Sequence, residues 1–429
     1  MAIYYVDSNS GKPENDGLSE LTPKSSYREL EIVPGDTILF KAGSVYRDAI
    51  HSPCGEEGKY ITWDMYGEGE KPLFLGSVNL HDASLWTEKE KNIWACSYDF
   101  KSDVCNLIFD GDKECGVLAW EYEDLNAKGK WHFTYMGYLG DGKSNKVVPE
   151  HIVKSGKVLY VYCEGNPAEV YSDIECAVYG HRCLIAGNKY IRFNNIAGKY
   201  SGVHVYGQSM VKDVKISNCD FRFIGGCVWD RIQRIRFGNG IEVWEYGEDV
   251  TLEHSYFDQV YDSCTTHQGF KNEKPCVRIN IVNNIFKNYG MAAYELRDLV
   301  ALDTHFDGNI CIGAGRGFSL QGETPPRKSE LWPQPMGHHL FIWRIYGPTE
   351  NGCITVRNNV FHDAPYGAAV YSTAHPDADA QLVFENNVYY KDEDTYLVRL
   401  GNKNYGKNEF ALYQKEQNKD KGSRVENIF

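Results

Sequence analysis

Apolar and polar residues alternate along most of this chain in short runs cut by Gly, Pro, Asn and Asp. AIYYVDS, DTILFKAG, KYITWDMYG and KPLFLGS show the pattern near the N-terminus. A period of two places successive side chains on opposite faces, so each run predicts a half-buried strand. From Tyr190 the runs become a repeat. IRFNNIAG, VKISNCDFRF, TLEHSYFDQV, INIVNNIFKN, HFDGNICIGA, TVRNNVFHDA and VFENNVYYKD share the form apolar, Asn, Asn, apolar, aromatic, or a worn version of it. The second Asn position falls at Asn195, Cys219, Ser255, Asn284, Asn309, Asn359 and Asn387, at intervals of 24, 36, 29, 25, 50 and 28 residues. An irregular repeat with β character and no helical period predicts a solenoid of strands, in which each coil buries its apolar edge only by stacking on the next. Asn suits the corner because it tolerates the left-handed conformation and its amide can bond to the Asn one coil on.

The expected organisation is a single β-helix domain over 1–429. Residues 1–80 form N-terminal coils with a short capping helix at Ser25–Leu30. Residues 81–189 form irregular coils crowded with Trp86, Trp94, Trp120, Trp131 and Phe133. Within them Lys128–Lys146, rich in Gly and polar residues, is expected to be a long loop. Regular coils fill 190–400, and a C-terminal cap around Glu409–Gln417 fills 401–429. The 50-residue interval contains Glu323–Glu350 with Pro325, Pro326, Pro333, Pro335 and Pro348, which predicts one long inserted loop. Long loops on a solenoid gather on its binding face, so both segments are expected to wall a groove, with Trp131, Phe133 and Trp332 available for stacking.

The candidate chemistry lies between Gly238 and Arg297. Aligned after each corner, GIEVW, AYELR, GFSLQ and GAAVY give one outward column of Glu242, Glu295, Ser319 and Ala369. A second column holds Trp244, Arg297, Gln321 and Tyr371. The intervening SCTTH adds Thr265 and His267 when Ser263 opens it, and a slip of one residue would exchange the faces. Asp262 and Asp298 stand beside the column as further candidate acids. His338-His339 has no Asp or Glu at zinc-like spacing, so no metal is expected there and His339 is read as groove-lining or packing. Arg297 beside Glu295 predicts a carboxylate held ionised, and Trp244 beside Glu242 a carboxyl pushed up. Glu242 would then be the proton donor, Glu295 the base or nucleophile, and His267 a ligand for a hydroxyl between them.

Composition narrows the partners. The net charge of −14 argues against nucleic acid and anionic membranes as partners. Thirteen scattered Cys without CxxC fit free thiols better than a disulfide framework. With no charged, apolar leader in MAIYYVDSNSG, they predict a cytoplasmic location; a leader removed ahead of this N-terminus would make the protein a secreted one.

YYVDSNSGKPENDGLSELTPKSSYREL followed by PGDTILFKAGSVYRDAI resembles the opening of right-handed parallel β-helix proteins of the pectate-lyase-like superfamily. The pattern from Ala2 to Asn387 is similar to its carbohydrate-active members, which include hydrolases on xylosyl and fucosyl substrates. The resemblance implies an all-β, right-handed parallel β-helix whose partner is an oligo- or polysaccharide. The activity it favours is a glycoside hydrolase on a plant or host glycan, without cofactor, using the two carboxylates. A polysaccharide lyase with His267 and Arg297, which alone would call for Ca²⁺, is the alternative. A non-catalytic sugar-binding β-helix, keeping Trp244 and Tyr371, is a third.

Overall fold

The structure is a computed structural model that describes residues 1–140, 142, 147–268, 274–320, 336–392 and 396–428. The chain winds as a right-handed parallel β-helix whose coils lay strands onto three faces. One face is a ten-stranded sheet running from Val45–Tyr46 through Tyr256–Val260 and Ile285–Tyr289 to Arg424–Glu426. The other two belong to a 16-stranded sheet, because Tyr206–Ser217 and Ile241–Glu253 bend through a corner and serve both. Beyond these two strands the faces separate. Ser263–Gln268, Ala292–Arg297, His338–Trp343, Val370–Ser372 and Val398–Leu400 continue one of them, the face that carries the candidate site. Val277–Val282, Thr304–Asp307, Ile354–Arg357 and Leu382–Glu385 continue the other.

The apolar half of each strand points into one continuous core. Inside it Phe221, Phe257, Phe286, Phe306, Phe361 and Tyr389 form a file of rings with centroids 5.2 to 6.4 Å apart. The helix Phe410–Gln417 closes the last coil, with Phe410 placed 5.7 Å from Tyr389 and Tyr413 buried behind it. At the other end the expected helix shortens to the 3₁₀ turn Tyr27–Glu29, capped by the Ser26 side chain, and buried Tyr27 plugs the first coil.

The Asn repeat divides its labour between two positions. The residue ahead of the mark takes the left-handed conformation: φ is 52° at Asn218, 50° at His254, 56° at Asn283, 56° at Asn358 and 55° at Asn386. The mark itself turns inward and builds a ladder. Asn309 Oδ1 accepts from Asn284 N at 2.9 Å, Asn359 Oδ1 from Asn309 N at 2.8 Å, and Asn387 Oδ1 from Asn359 N at 3.0 Å. These buried amides supply hydrogen bonds that the corner backbone could not obtain from water. The first mark is one residue off, since Asn195 itself is left-handed, with φ of 55°.

Residues 81–178 depart from the expected irregular coils. With Ser77–Asn79 they build two sheets: one of five strands around Trp94, Trp131 and Leu159, antiparallel except where Val117–Leu118 runs parallel to Lys130–Phe133, and an antiparallel one of four strands around Val104–Phe109 and Ile174–Val178. Trp131 and Phe133 lie on the strand Lys130–Phe133 and are fully buried in the core of this insert. The expected Lys128–Lys146 loop is therefore part strand, and Trp131 is a packing residue rather than a sugar platform. Beyond it, the chain at Gly137 and Leu139 is held by the buried carboxylate of Asp103, which accepts both N–H groups at 3.1 and 3.0 Å.

Candidate active site

Backbone register sets the site. Glu242 pairs with Thr266, Thr266 with Glu295, Glu295 with Phe341, and Phe341 with Tyr371. Their neighbours Ile241, Val243, Tyr294, Leu296, Leu340 and Ile342 all belong to the core. By the period of two, the column between them faces outward. Glu242 and Glu295 thus stand on one face, two strand spacings or about 10 Å apart at the backbone. The next outward column holds Trp244, Gln268, Arg297 and Trp343.

Four expectations are corrected by this register. His267 pairs with Val243 and Leu296 and so faces inward, where its Nε2 lies 2.8 Å from the Tyr294 hydroxyl. The cause is the corner: Cys264 and Thr265 both turn into the core, which shifts the alternation by one and brings Thr266 outward in place of Thr265. His339 is likewise internal, with Nδ1 2.5 Å from the Tyr289 hydroxyl and its ring against Phe361. Tyr371 is half-buried and stands in the glutamate column, while Ala369 belongs to the core. GFSLQ is not a strand of this face; Gly317–Leu320 is a 3₁₀ turn, and His338–Trp343 supplies the strand from within the expected Glu323–Glu350 loop. Gln321 and Trp332 lie outside the described residues.

Glu295 is held by two donors. Trp343 Nε1 donates to Oε1 at 2.8 Å and the Ser263 hydroxyl to Oε2 at 3.1 Å. Burial raises its carboxyl to about 7; Arg297 opposes that shift and nearby Asp262 adds to it. The direction is the reverse of the one expected from Arg297. That guanidinium lies 5.1 Å from the Trp343 ring and its Nε 3.6 Å from Asp298, so its charge is shared while desolvation of Glu295 is complete. Asp298 leaves the strand with φ of 73°.

Glu242 is held from the N-terminal side by groups that no motif marks. Asn239 Nδ2 donates to its Oε2 at 2.8 Å, and His204 Nε2 lies 3.4 Å from the same oxygen. The backbone N–H of Asn239 donates to His204 Nδ1 at 3.1 Å, which puts the proton of the neutral imidazole on Nε2, facing the carboxylate. Burial holds His204 below its ordinary value, so this neutral form prevails at pH 7. Gly207 makes room for the ring: a Cβ there would stand 2.8 Å from His204 Cδ2. Asn239 Oδ1 accepts the Ser263 N–H at 3.0 Å, which fixes the amide with its NH₂ toward Glu242.

The arrangement offers two buried carboxyls on one face, each oriented by donors, with indole and guanidinium surfaces alongside. Such a pair can deliver a proton to one side of a bound molecule and remove one from the other.

No family model matches the chain and no curated protein matches it. Among solved structures it is similar to a complex of XylC with xylose, at 14% identity and a TM-score of 0.58, over 93% of this chain and 68% of that one. The shared feature is the parallel β-helix. A lacto-N-biosidase from Eubacterium ramulus matches at 13% identity and a TM-score of 0.49, over 100% of this chain and 68% of that one. A pectate lyase matches at 14% identity and a TM-score of 0.45, over 94% and 78%.

Proposed function

We propose that this protein is a glycoside hydrolase acting on an oligo- or polysaccharide, with Glu295 as proton donor and Glu242 as base. The observation that carries the reading is the outward column Glu242–Thr266–Glu295, which sets two carboxyls on one groove face with a single coil between them. Backbones about 10 Å apart let side chains that lean together reach the roughly 6.5–9.5 Å separation that admits a water beside the sugar. The roles follow from the surroundings. Glu295 keeps its proton to about 7 and can donate it to a leaving oxygen at neutral pH. Glu242 accepts from Asn239 and faces the Nε2–H of His204, a setting that suits a proton acceptor. Half-buried Trp244 supplies a ring for a sugar, while Trp343, with the guanidinium groups of Arg297 and Arg344 over its ring, serves to orient Glu295. The xylose in the XylC complex supports a saccharide as the ligand of this fold.

Of the two residues named for a lyase, Arg297 stands in the outward column but His267 faces the core, where burial lowers it to about 4, which favours the hydrolase reading. The test is a glycan panel read by new reducing ends and by absorbance of unsaturated uronates. Reducing ends without absorbance are expected, and they disappear in the Glu242→Gln and Glu295→Gln variants. An unsaturated product, or full turnover of natural glycans by both variants, would overturn the reading.

A further inference from the structure

Between the two glutamates stands Thr266, paired to Glu242 on one side and to Glu295 on the other. The residue is 3% exposed, yet Oγ1 has no hydrogen-bond partner among the described residues. Its neighbours on the strand do not share this condition. The Ser263 hydroxyl is committed to Glu295, the Thr265 hydroxyl to Ala293 O at 2.7 Å, and His267 to Tyr294. A buried hydroxyl left unpaired costs about 1–3 kcal/mol, and such groups are kept where a ligand completes them. Val is isosteric with Thr and would fill the same space without that cost.

We propose that the Thr266 hydroxyl binds the attacking water and holds it against Glu242. The inference rests on the reading of Glu242 and Glu295 as base and acid. The orientation of Glu242 agrees with it: Asn239 and His204 both address Oε2, which leaves Oε1 to receive a proton from the site. A hydroxyl can donate to a water oxygen or accept from its hydrogen, so Thr266 can follow the water as its charge changes. In the step that results, the water oxygen bonds to the anomeric carbon and its proton passes to Glu242. The glycosidic C–O bond breaks, and the leaving oxygen takes the proton from Glu295. Thr266 neither gains nor loses a proton.

The test compares Thr266→Val with Thr266→Ser in the full chain, on the glycan the wild type turns over best. Thr266→Val is expected to lower kcat about 10²-fold, with KM within about twofold. Its Tm should equal or exceed that of the wild type, since an unpaired buried hydroxyl is removed. Thr266→Ser keeps the hydroxyl and should hold kcat within about fivefold, less than the effect of one lost hydrogen bond to a charged partner. A Thr266→Val enzyme with unchanged kcat overturns the inference and leaves the acid–base pair standing. So does a marked fall in its Tm, which would give the hydroxyl a partner inside the protein. A wild type that turns over no glycan removes the acid–base reading, and this inference with it.

Discussion

The indole N–H of Trp343 donates to Glu295 Oε1 while the same ring lies 5.1 Å from the guanidinium of Arg297. One side chain therefore orients the acid and draws off the cation that would otherwise pair with it. Trp343→Phe keeps a ring for Arg297 and removes only the donor. The Glu295 carboxylate that forms as the proton leaves would lose about 1.5 kcal/mol of support. Measured kcat/KM should fall about tenfold, and the alkaline limb of its pH profile should move upward, because a donor to the ionised form is gone. A limb that stays in place would detach Trp343 from the acid.

Substrates with a good leaving group need no protonation, and they separate the roles of the pair. Glu295→Gln should keep most of its activity on an activated aryl glycoside and lose at least about 10²-fold on the natural linkage. Glu242→Gln should lose both. The opposite pattern would make Glu242 the acid, as Trp244 beside it suggests from the sequence.

Stability should depend on pH through Glu295 with a definite sign. Its folded carboxyl titrates near 7 against an ordinary 4.5. Below about 4.5 it is neutral folded or unfolded, and nothing is lost. As pH rises through 7, the unfolded chain ionises it freely while the folded chain resists. The wild type then loses up to about 3 kcal/mol, at 1.36 kcal/mol per unit. Glu295→Gln should accordingly raise Tm at pH 8 and leave it nearly unchanged at pH 4.5. Equal differences at both pH values would show that the carboxyl is not desolvated.

His267 should show the opposite sign. Burial lowers its imidazole to about 4 from 6.5. Stability is intact above 6.5 and is lost as pH falls toward 4, because the unfolded chain takes the proton first. His267→Gln, which cannot titrate there, should flatten the fall of Tm over that interval. At pH 7 its kcat and KM should stay within about twofold, below the scale of a lost catalytic hydrogen bond; a collapse of turnover would return His267 to the groove.

The two Asn of each corner should prove unequal. Asn359→Ala removes the acceptor for Asn309 N and the donor to Phe306 O, both buried and 2.8 Å away, at a cost of about 2–4 kcal/mol. Asn358→Ala loses only the ease of a left-handed residue with φ of 56°, about 1 kcal/mol. Thermal unfolding of the pair measures the difference, and equal losses would dissolve the ladder as a separate contribution.

The repeat was legible because the corner needs particular chemistry: a residue that tolerates positive φ, then an amide that reaches the next coil. The coil that carries Thr266 was not. Ser263-Cys264-Thr265-Thr266-His267 has no contrast between large apolar and charged residues, so nothing in its letters shows that Cys264 and Thr265 both turn inward. Glu242 and Glu295 stood out because each lies between apolar neighbours; His204, in SGVHVYG, reads as one polar residue in an apolar phrase. His338–Trp343 was hidden by the prolines ahead of it. Strands of the insert alternate with the same period as coil strands, and direction leaves no mark on that period, so antiparallel sheets were read as coils.

Ser77 and Ala177 are partners across one antiparallel ladder, and Val178 N reaches back to Gly76 O at 3.5 Å. The excursion between them leaves the solenoid and returns to the spot it left. Closing such a detour costs the winding chain almost no loop entropy, since its two ends are already joined by strand pairing. The coil below and the coil above can therefore stack as if the detour were a short bend. A domain attached in this way is a graft on an unbroken axis, exchangeable for one of different length without changing the register that aligns Glu242 with Glu295.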